Sequence, residues 1–478
     1  MRTKSLFACA FAAMMFVATG CEPEAQPAPG PDTEKPAPGP EDEKPNPDDN
    51  TGDENVFVPV FENGICVLED GSVIVQSDNG IDRINGLLTA IETCADTTVV
   101  TTETKTEVAC NNTFILQRNG RYYVQGKWVI KNNVVVKADQ GEGAMPLIQI
   151  MADETGESNA DMIRFEANAT FKGIYFYGRE AMTDAHQQRM LRLDGQGNRL
   201  ILEDCFADYC RNFFIRTDNT DCRIYLKNST FRNMAKANGS NGRLVDTRGN
   251  GADTVLIHNC LVYNILGHFT RFDGGKINHL EWTNNTFYNC GSNPEVGAVN
   301  TVKIENNILG NVGWRMASKA IEVNEETGEI ERDDAIWNVE MPAEGTDISN
   351  VKIVIRNNNV FNTNEMLAIY AKYPETAIVP TELSPGGKYL MEQGKLTYEN
   401  NISEQLTFDN PGPVHYDFIN MHMSDPDQPE ENFDEMPWFI DEDELPGIIP
   451  GSVYTYGYPS SAQSATASTT GGKLGASF

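Results

Sequence analysis

Four short segments place an acid two residues after an arginine: Ile163-Arg164-Phe165-Glu166, Leu191-Arg192-Leu193-Asp194, Ile215-Arg216-Thr217-Asp218 and Thr270-Arg271-Phe272-Asp273. In a strand, alternation turns the apolar neighbours inward and the arginine and acid outward together. If the segments stack, a basic column stands beside an acidic one. A guanidinium fork matches a carboxylate bidentately, and aspartate oxygens suit a hard cation such as calcium. One reading is a groove for an acidic sugar chain. The other is a surface ion-pair lattice, each pair contributing little. Like charges about 4.8 Å apart repel by roughly 0.9 kcal/mol even in water, so the basic column needs the acids beside it. Leu244-Val245-Asp246 lies in the coil between, with Arg243 and Arg248 near but out of register.

What stacks these segments is a second pattern: apolar, any residue, Asn, two residues, apolar, any residue, Asn. It reads Leu226-Lys227-Asn228 with Phe231 and Asn233, then Ile257-His258-Asn259 with Val262 and Asn264. Further copies are Trp282-Thr283-Asn284, Ile304-Glu305-Asn306 and Ile355-Arg356-Asn357, with partial ones ending at Gly173, Asp204 and Asn400. The markers are spaced by 31, 24, 31, 25, 22, 51 and 43 residues. One such copy cannot bury its own apolar face, so copies must stack. The period of two means strand. Asn suits the corner because it tolerates left-handed backbone, and its amide can bond the next coil. A four-stranded propeller blade needs about 40–45 residues, more than most intervals supply. The pattern predicts an all-β chain: a single-stranded, right-handed parallel β-helix. Ile81 to Cys94 reads as an amphipathic helix capping its first coil. Strands are predicted at Thr98–Val100, Phe114–Leu116, Tyr122–Val124, Trp128–Ile130, Val134–Val136 and Leu147–Ile150.

The 478 residues divide accordingly. Residues 1–20 read as a secretory signal. Residues 21–55, rich in Pro and acid, are an extended tether. A lead-in at 56–80 precedes the β-helix at 81–410, and 411–478 form an acidic tail segment packing on it. The 51-residue interval is read as an acidic loop or hairpin at 313–350 inserted between coils, with Trp314 and Trp337 on a binding face. Blocks at 22–55, 321–350 and 416–445 carry −9, −9 and −11 of the net −32, so the repeat body is nearly neutral. No basic patch supports nucleic-acid binding. The acids of Asp425–Glu444 suit calcium but lack the spacing of a helix-loop-helix site, so a solvated tail is the simpler reading. Cys94 and Cys110 are placed for a bridge closing the cap. Cys205 and Cys260 share a repeat position two coils apart, roughly 10 Å, too far to bond. No HExxH, GxSxG, phosphate loop or CxxC is present.

Ala18-Thr19-Gly20-Cys21 resembles the lipobox of bacterial lipoproteins, which implies acylation of Cys21 and attachment to the membrane by lipid alone. Glu22 and Glu24 resemble surface-export signals of Bacteroidetes lipoproteins, implying an outer-membrane lipoprotein facing the cell surface or the periplasm. The capping helix, the opening with Leu87-Leu88-Thr89-Ala90-Ile91 and Asn119-Gly120-Arg121-Tyr122-Tyr123, and the Asn corners are similar to the pectate-lyase-like parallel β-helix superfamily. The ending Ser464-Ala465-Thr466 with Gly471-Gly472-Lys473-Leu474-Gly475 resembles tails of Bacteroidetes β-helix lipoproteins. The superfamily likeness implies a lyase of uronate polymers, in which calcium or basic groups bind the carboxylate and a Lys or Arg removes the neighbouring proton. On that reading Arg192, Arg216 and Arg271 are the catalytic candidates. Asp194, Asp218 and Asp246 are metal or sugar ligands, and Arg164, Asp273, Trp314 and Trp337 hold substrate. A free Arg stays protonated, so such a base needs tuning. Glycoside hydrolases of this fold use carboxylates alone, and the acid column also suits them. The alternative is a monomeric, non-catalytic surface protein that captures acidic polysaccharide or adheres to a partner.

Overall fold

A computed structural model gives the fold. It describes residues 59–477 except 79–82, 95–98, 102–105, 157–159, 184–185, 236–240, 298, 318–321, 324–329, 332–334, 375–376, 378 and 425–453. The stretches read as a signal and a tether, with Cys21, and the Asp425–Glu444 block lie outside the described residues.

The chain is a parallel β-helix. The first sheet has twelve strands, running from Ile65–Val67 through Arg223–Lys227 and Ala252–His258 to Leu396–Glu399. After an antiparallel opening pair, every neighbour is parallel and one coil further along the chain. A fifteen-stranded sheet wraps the other sides of the coil. Nine of its strands, Arg121–Gln125 to Asn359–Phe361, form the second face, and six, including Asp161–Phe165 and Cys210–Thr217, form the third. Each central coil thus has three strands, one more than the two patterns show.

The first apolar residue of each copy stacks on the next. Phe171, Leu202, Leu226, Ile257, Trp282, Ile304 and Ile355 are register partners in succession and all are buried. Burial of such side chains contributes about 1.5–3 kcal/mol each, as an upper estimate. The marker residues follow at the corner. Gly173, Asp204, Asn228, Asn259, Asn284, Asn306, Asn357 and Asn400 all have positive φ, between 48° and 68°. Left-handed backbone costs most residues about 1–2 kcal/mol but Asn and Gly little. Asn284→Gly is therefore expected to change unfolding free energy by only a few tenths of a kcal/mol, and Asn284→Ala to cost about 1–2 kcal/mol, read by urea denaturation.

The residue after each marker makes the interior ladder. Asn285 Nδ2 donates to Asn307 Oδ1 at 3.0 Å, Asn307 Nδ2 to Asn358 Oδ1 at 2.9 Å, and Asn358 Nδ2 to Asn401 Oδ1 at 2.9 Å. In earlier coils the same position is Cys205, Ser229 and Cys260. The amides of Cys205 and Cys260 still reach the next coil, Cys205 N to Ser229 Oγ at 3.0 Å and Cys260 N to Asn285 Oδ1 at 2.8 Å. A second row, Asn233, Asn264 and Asn289, links side chain to side chain and starts on Asp208.

The helix α1 (Gly86–Thr93) buries Leu87, Ala90 and Ile91 against the first coils. Ahead of it, Val73–Val75 already pairs with Thr113–Leu116, so part of the lead-in belongs to the first sheet. Cys94 and Cys110 are adjacent buried thiols with a side-chain hydrogen bond, not a bridge. Burial pushes the Cys94 thiol up to about 12.

The segment 313–350 holds an antiparallel pair, Glu322–Val323 with Ile330–Glu331, but it is more than an inserted hairpin. It begins with α2 (Trp314–Ala317), and its strand Ala335–Val339 pairs with Glu295–Val296 and Thr381–Leu383. The long interval is one enlarged coil, because Val299–Glu305 and Lys352–Arg356 are direct neighbours. Then come α3 (Asn364–Lys372), α4 (Pro385–Glu392) and α5 (Tyr416–Ser424). Residues 454–477 lie across the coils, pinned by corner asparagines. No helix among the described residues is long and apolar enough to cross a membrane.

Candidate functional site

The third face carries the arginines. Arg164, Arg192 and Arg216 are successive register partners, Asp246 follows Arg216, and Arg271 follows Asp246. The inward neighbours Ile163, Leu191, Ile215 and Val245 fix this facing by burial in the core.

The acids interlock with the row. Arg192 Nε sits 2.7 Å from Asp194 and its Nη2 2.6 Å from Asp218. Arg216 binds Asp218 in turn, with Nε at 2.7 Å and Nη2 at 2.5 Å. Arg164 reaches Asp194 at 3.6 Å. Each of these arginines thus faces the acid of its own coil, the next coil, or both. The ring of Phe213 lies under Arg189 and Arg216, with centroid distances of 5.9 and 5.4 Å.

At the head of this network is Asp161, which the motif does not include. It is only 2% exposed and binds Arg164, with Arg189 and Arg192 each at 3.3 Å. Burial pushes its carboxyl up, but Arg164, Arg189 and Arg192 more than offset this and hold its pKa below the ordinary value. The hint in the sequence is Asp161 three residues before Arg164. Arg243-Leu244-Val245-Asp246 is the same pair with its charges exchanged.

That exchange corrects the place of Asp246. Asp161, Arg189, Phe213 and Arg243 share one register row, and Arg164, Arg192, Arg216 and Asp246 share the other. Asp246 is fully buried in the arginine row, bound to Arg243 at 2.5 Å and accepting from Arg248 N at 2.9 Å. It separates Arg216 from Arg271 and relieves their repulsion. It does not join Asp194 and Asp218, and among the described residues no three acidic, His or Cys side chains form a ligand set. Asp194 and Asp218 spend their oxygens on arginine. This donor set does not fit calcium.

Arg271 pairs with Asp273 at 2.9 Å, and Asp273 is 47% exposed, against 23% and 21% for Asp194 and Asp218. Glu295, also outside the motif, accepts from the backbone of Phe272 and Asp273 at 3.0 and 2.9 Å and holds this turn. Burial raises its pKa despite those bonds.

The two tryptophans offer no stacking face. Trp314 is fully buried, with Phe418 and His422 edge-on to it. Trp337 is 1% exposed, packs in the main core and borders a cavity of about 340 Å³ beside Tyr398 and Ile402. Both belong to elements of the enlarged coil, which explains the burial.

As for a base, burial works against the Arg192 charge, but Asp218, Asp194 and Asp161 more than offset it and raise its pKa. A guanidinium held this way resists giving up its proton.

The fold and this face define a parallel β-helix protein with an arginine–aspartate lattice along one side. No protein-family model matches the chain, and no curated protein matches it significantly.

Proposed function

We propose that this is an exported, lipid-anchored β-helix protein that binds acidic polysaccharide along its third face without cleaving it. The observation that carries this reading is the run of guanidiniums at one register position, Arg164, Arg192, Arg216 and, past Asp246, Arg271. Each keeps between 13% and 27% of its side chain in solvent. An acidic polymer carries a carboxylate per sugar, and such groups can take the outer donors of guanidinium forks whose inner donors stay on Asp194 and Asp218. The internal acids hold the forks in place before the ligand arrives, which lowers the cost of ordering them. Elimination through an arginine needs its guanidinium deprotonated, and the raised pKa of Arg192 works against that role for it. The lipobox-like Ala18-Thr19-Gly20-Cys21 supports anchoring, with the acidic tether keeping the solenoid off the membrane.

The test titrates the chain, made soluble by Cys21→Ala, with polygalacturonate and alginate by calorimetry. Binding is expected to weaken with salt. Arg192→Ala and Arg216→Ala are each expected to weaken it roughly tenfold, the loss of about 1.4 kcal/mol of charge-assisted bonding. Ultraviolet-absorbing unsaturated ends in the reaction would instead mean a lyase. Equal binding by the parent and both variants would remove the third face from consideration.

A further inference from the structure

The first sheet carries a pair of cations that the chain leaves without an acid. Arg199 and Arg223 are register partners on the neighbouring strands Arg199–Glu203 and Arg223–Lys227, and both are exposed. Burial of Leu200, Leu202, Ile224 and Leu226 turns them outward. At one coil's spacing, about 4.8 Å, like charges repel. The third face meets that repulsion with shared acids: Asp161 serves Arg164 and Arg192, and Asp218 serves Arg192 and Arg216. On the first sheet the neighbours along the row are neutral. Asn168 Oδ1 accepts from Arg199 N at 2.8 Å, and Thr254 follows Arg223. Among the described residues neither guanidinium has an ion pair, and the one hydrogen bond from either side chain is Arg223 Nη2 to Gly197 O at 3.2 Å.

The far side of the same face carries a second row, Lys172, Glu203 and Lys227. Lys172 bonds Glu203 at 2.6 Å, which leaves Lys227 without an ion pair among the described residues. The corner acids Asp204 and Asp221 pair with none of these cations among the described residues. Between the two rows lie Thr170, Ile201 and Tyr225, half-buried and in register. Four cations and one carboxylate thus frame a largely apolar strip, on a chain whose net charge is −32. The cations come from three coils, so no run of bases marks them in the sequence. Stacking alone assembles the patch.

We propose that this patch on the first sheet is a second track for acidic polysaccharide, with carboxylates of the chain on Arg199 and Arg223 and a sugar ring against Tyr225 and Ile201. Charge complementarity selects an anion, and cations in rows along the coil axis suit a linear one whose charges repeat. The half-buried strip between the rows suits a pyranose, which offers an apolar C–H face with its carboxylate at the rim. Because no internal acid occupies these forks, nearly all their donors are left for the ligand, whereas those of Arg192 and Arg216 are shared with Asp194 and Asp218. The inference rests on the reading of an acidic glycan as ligand, and not on the third face.

The probe is an oligogalacturonate titrated into the full chain carrying Cys21→Ala, with calorimetry counting the sites. Two sites per chain are expected. Arg199→Ala and Arg223→Ala should each weaken one of them at least tenfold and reduce its salt dependence. Tyr225→Ala should weaken the same site severalfold with the salt dependence unchanged, since it removes ring contact and no charge. Lys227→Gln, on the opposite row, stands in for an arginine variant that misfolds by circular dichroism. Binding that falls in Arg192→Ala but not in the first-sheet variants overturns the proposal and leaves the third-face reading standing. Binding that falls only in the first-sheet variants does the reverse, and no binding by the parent overturns both. Displacement of the sugar by an equal concentration of oligoglutamate of the same charge, with Tyr225→Ala silent, also overturns the proposal, because the patch would then read charge and not sugar.

Discussion

Asp161→Asn is expected to lower the unfolding free energy by about 3–5 kcal/mol, the usual cost of removing one member of a buried charge network. Asp161 is 2% exposed and serves three guanidiniums, Arg164, Arg189 and Arg192. Asparagine fits the space but keeps one acceptor and no charge. Three cations then face each other with less compensation. The damage should be local, because each coil of a solenoid contacts only its neighbours. Hydrogen exchange should accelerate in Asp161–Phe165, Gln187–Leu193 and Cys210–Thr217, and little elsewhere. The pH dependence follows from the sign of the shift. The native carboxyl titrates below its ordinary value near 3.8. Its stabilisation is therefore complete above that value and disappears as the pH falls through the depressed native one. Asp161→Asn should flatten this acid limb of the stability profile. The same substitution should weaken acidic-polysaccharide binding, since Asp161 no longer holds Arg164 and Arg192 in place for the ligand.

The architecture was legible because two local constraints recur in sequence. The inward apolar residue and the left-handed corner each demand particular residue types, so Leu226-x-Asn228 and Ile257-x-Asn259 carry their structure visibly. The third strand was half legible, as the arginine segments, but its place as a separate face was not. The interior ladder escaped because its position changes type along the chain: Cys205, Ser229 and Cys260 precede Asn285, Asn307, Asn358 and Asn401. Any of these can pass a hydrogen bond to the next coil, so no repeat is forced. Asp161 escaped for another reason. Arg189 and Arg192 reach it from the following coil, 28 and 31 residues away, and only register brings them together. Asp246 misled through its neighbourhood, since residue type alone cannot tell an acid beside the arginine row from one within it. The acidic composition around Trp314 and Trp337 suggests an exposed segment. The strand Ala335–Val339 within that stretch is a coil strand buried at four of its five positions, and burial of Ile336, Trp337 and Val339 outweighs the polarity of its flanks.

Asn307→Ala is the second large loss, about 3–5 kcal/mol, from a residue with no charge at all. Its side chain is fully buried and makes four bonds. Oδ1 accepts from Asn285 N at 2.9 Å and Asn285 Nδ2 at 3.0 Å, while Nδ2 donates to Trp282 O and Asn358 Oδ1, both at 2.9 Å. Alanine removes this group and leaves its partners inside the solenoid without water. Each abandoned buried group costs roughly 1–3 kcal/mol, and partial relaxation keeps the total below the simple sum. The corner row provides the contrast: Asn284→Gly should be nearly silent, although Asn284 stands one residue before Asn285, the ladder partner of Asn307. The ladder also predicts coupling. Once Asn307 is gone, Asn358 has lost one of its two amide neighbours, so Asn307→Ala with Asn358→Ala should cost less than the two single losses together, by about 0.5–3 kcal/mol in a double-mutant cycle. Additive losses would mean that the amides bond only to the backbone of their own neighbourhood. Coupled losses would mean that the row is one cooperative element holding successive coils in register, on which the spacing of the arginines outside depends.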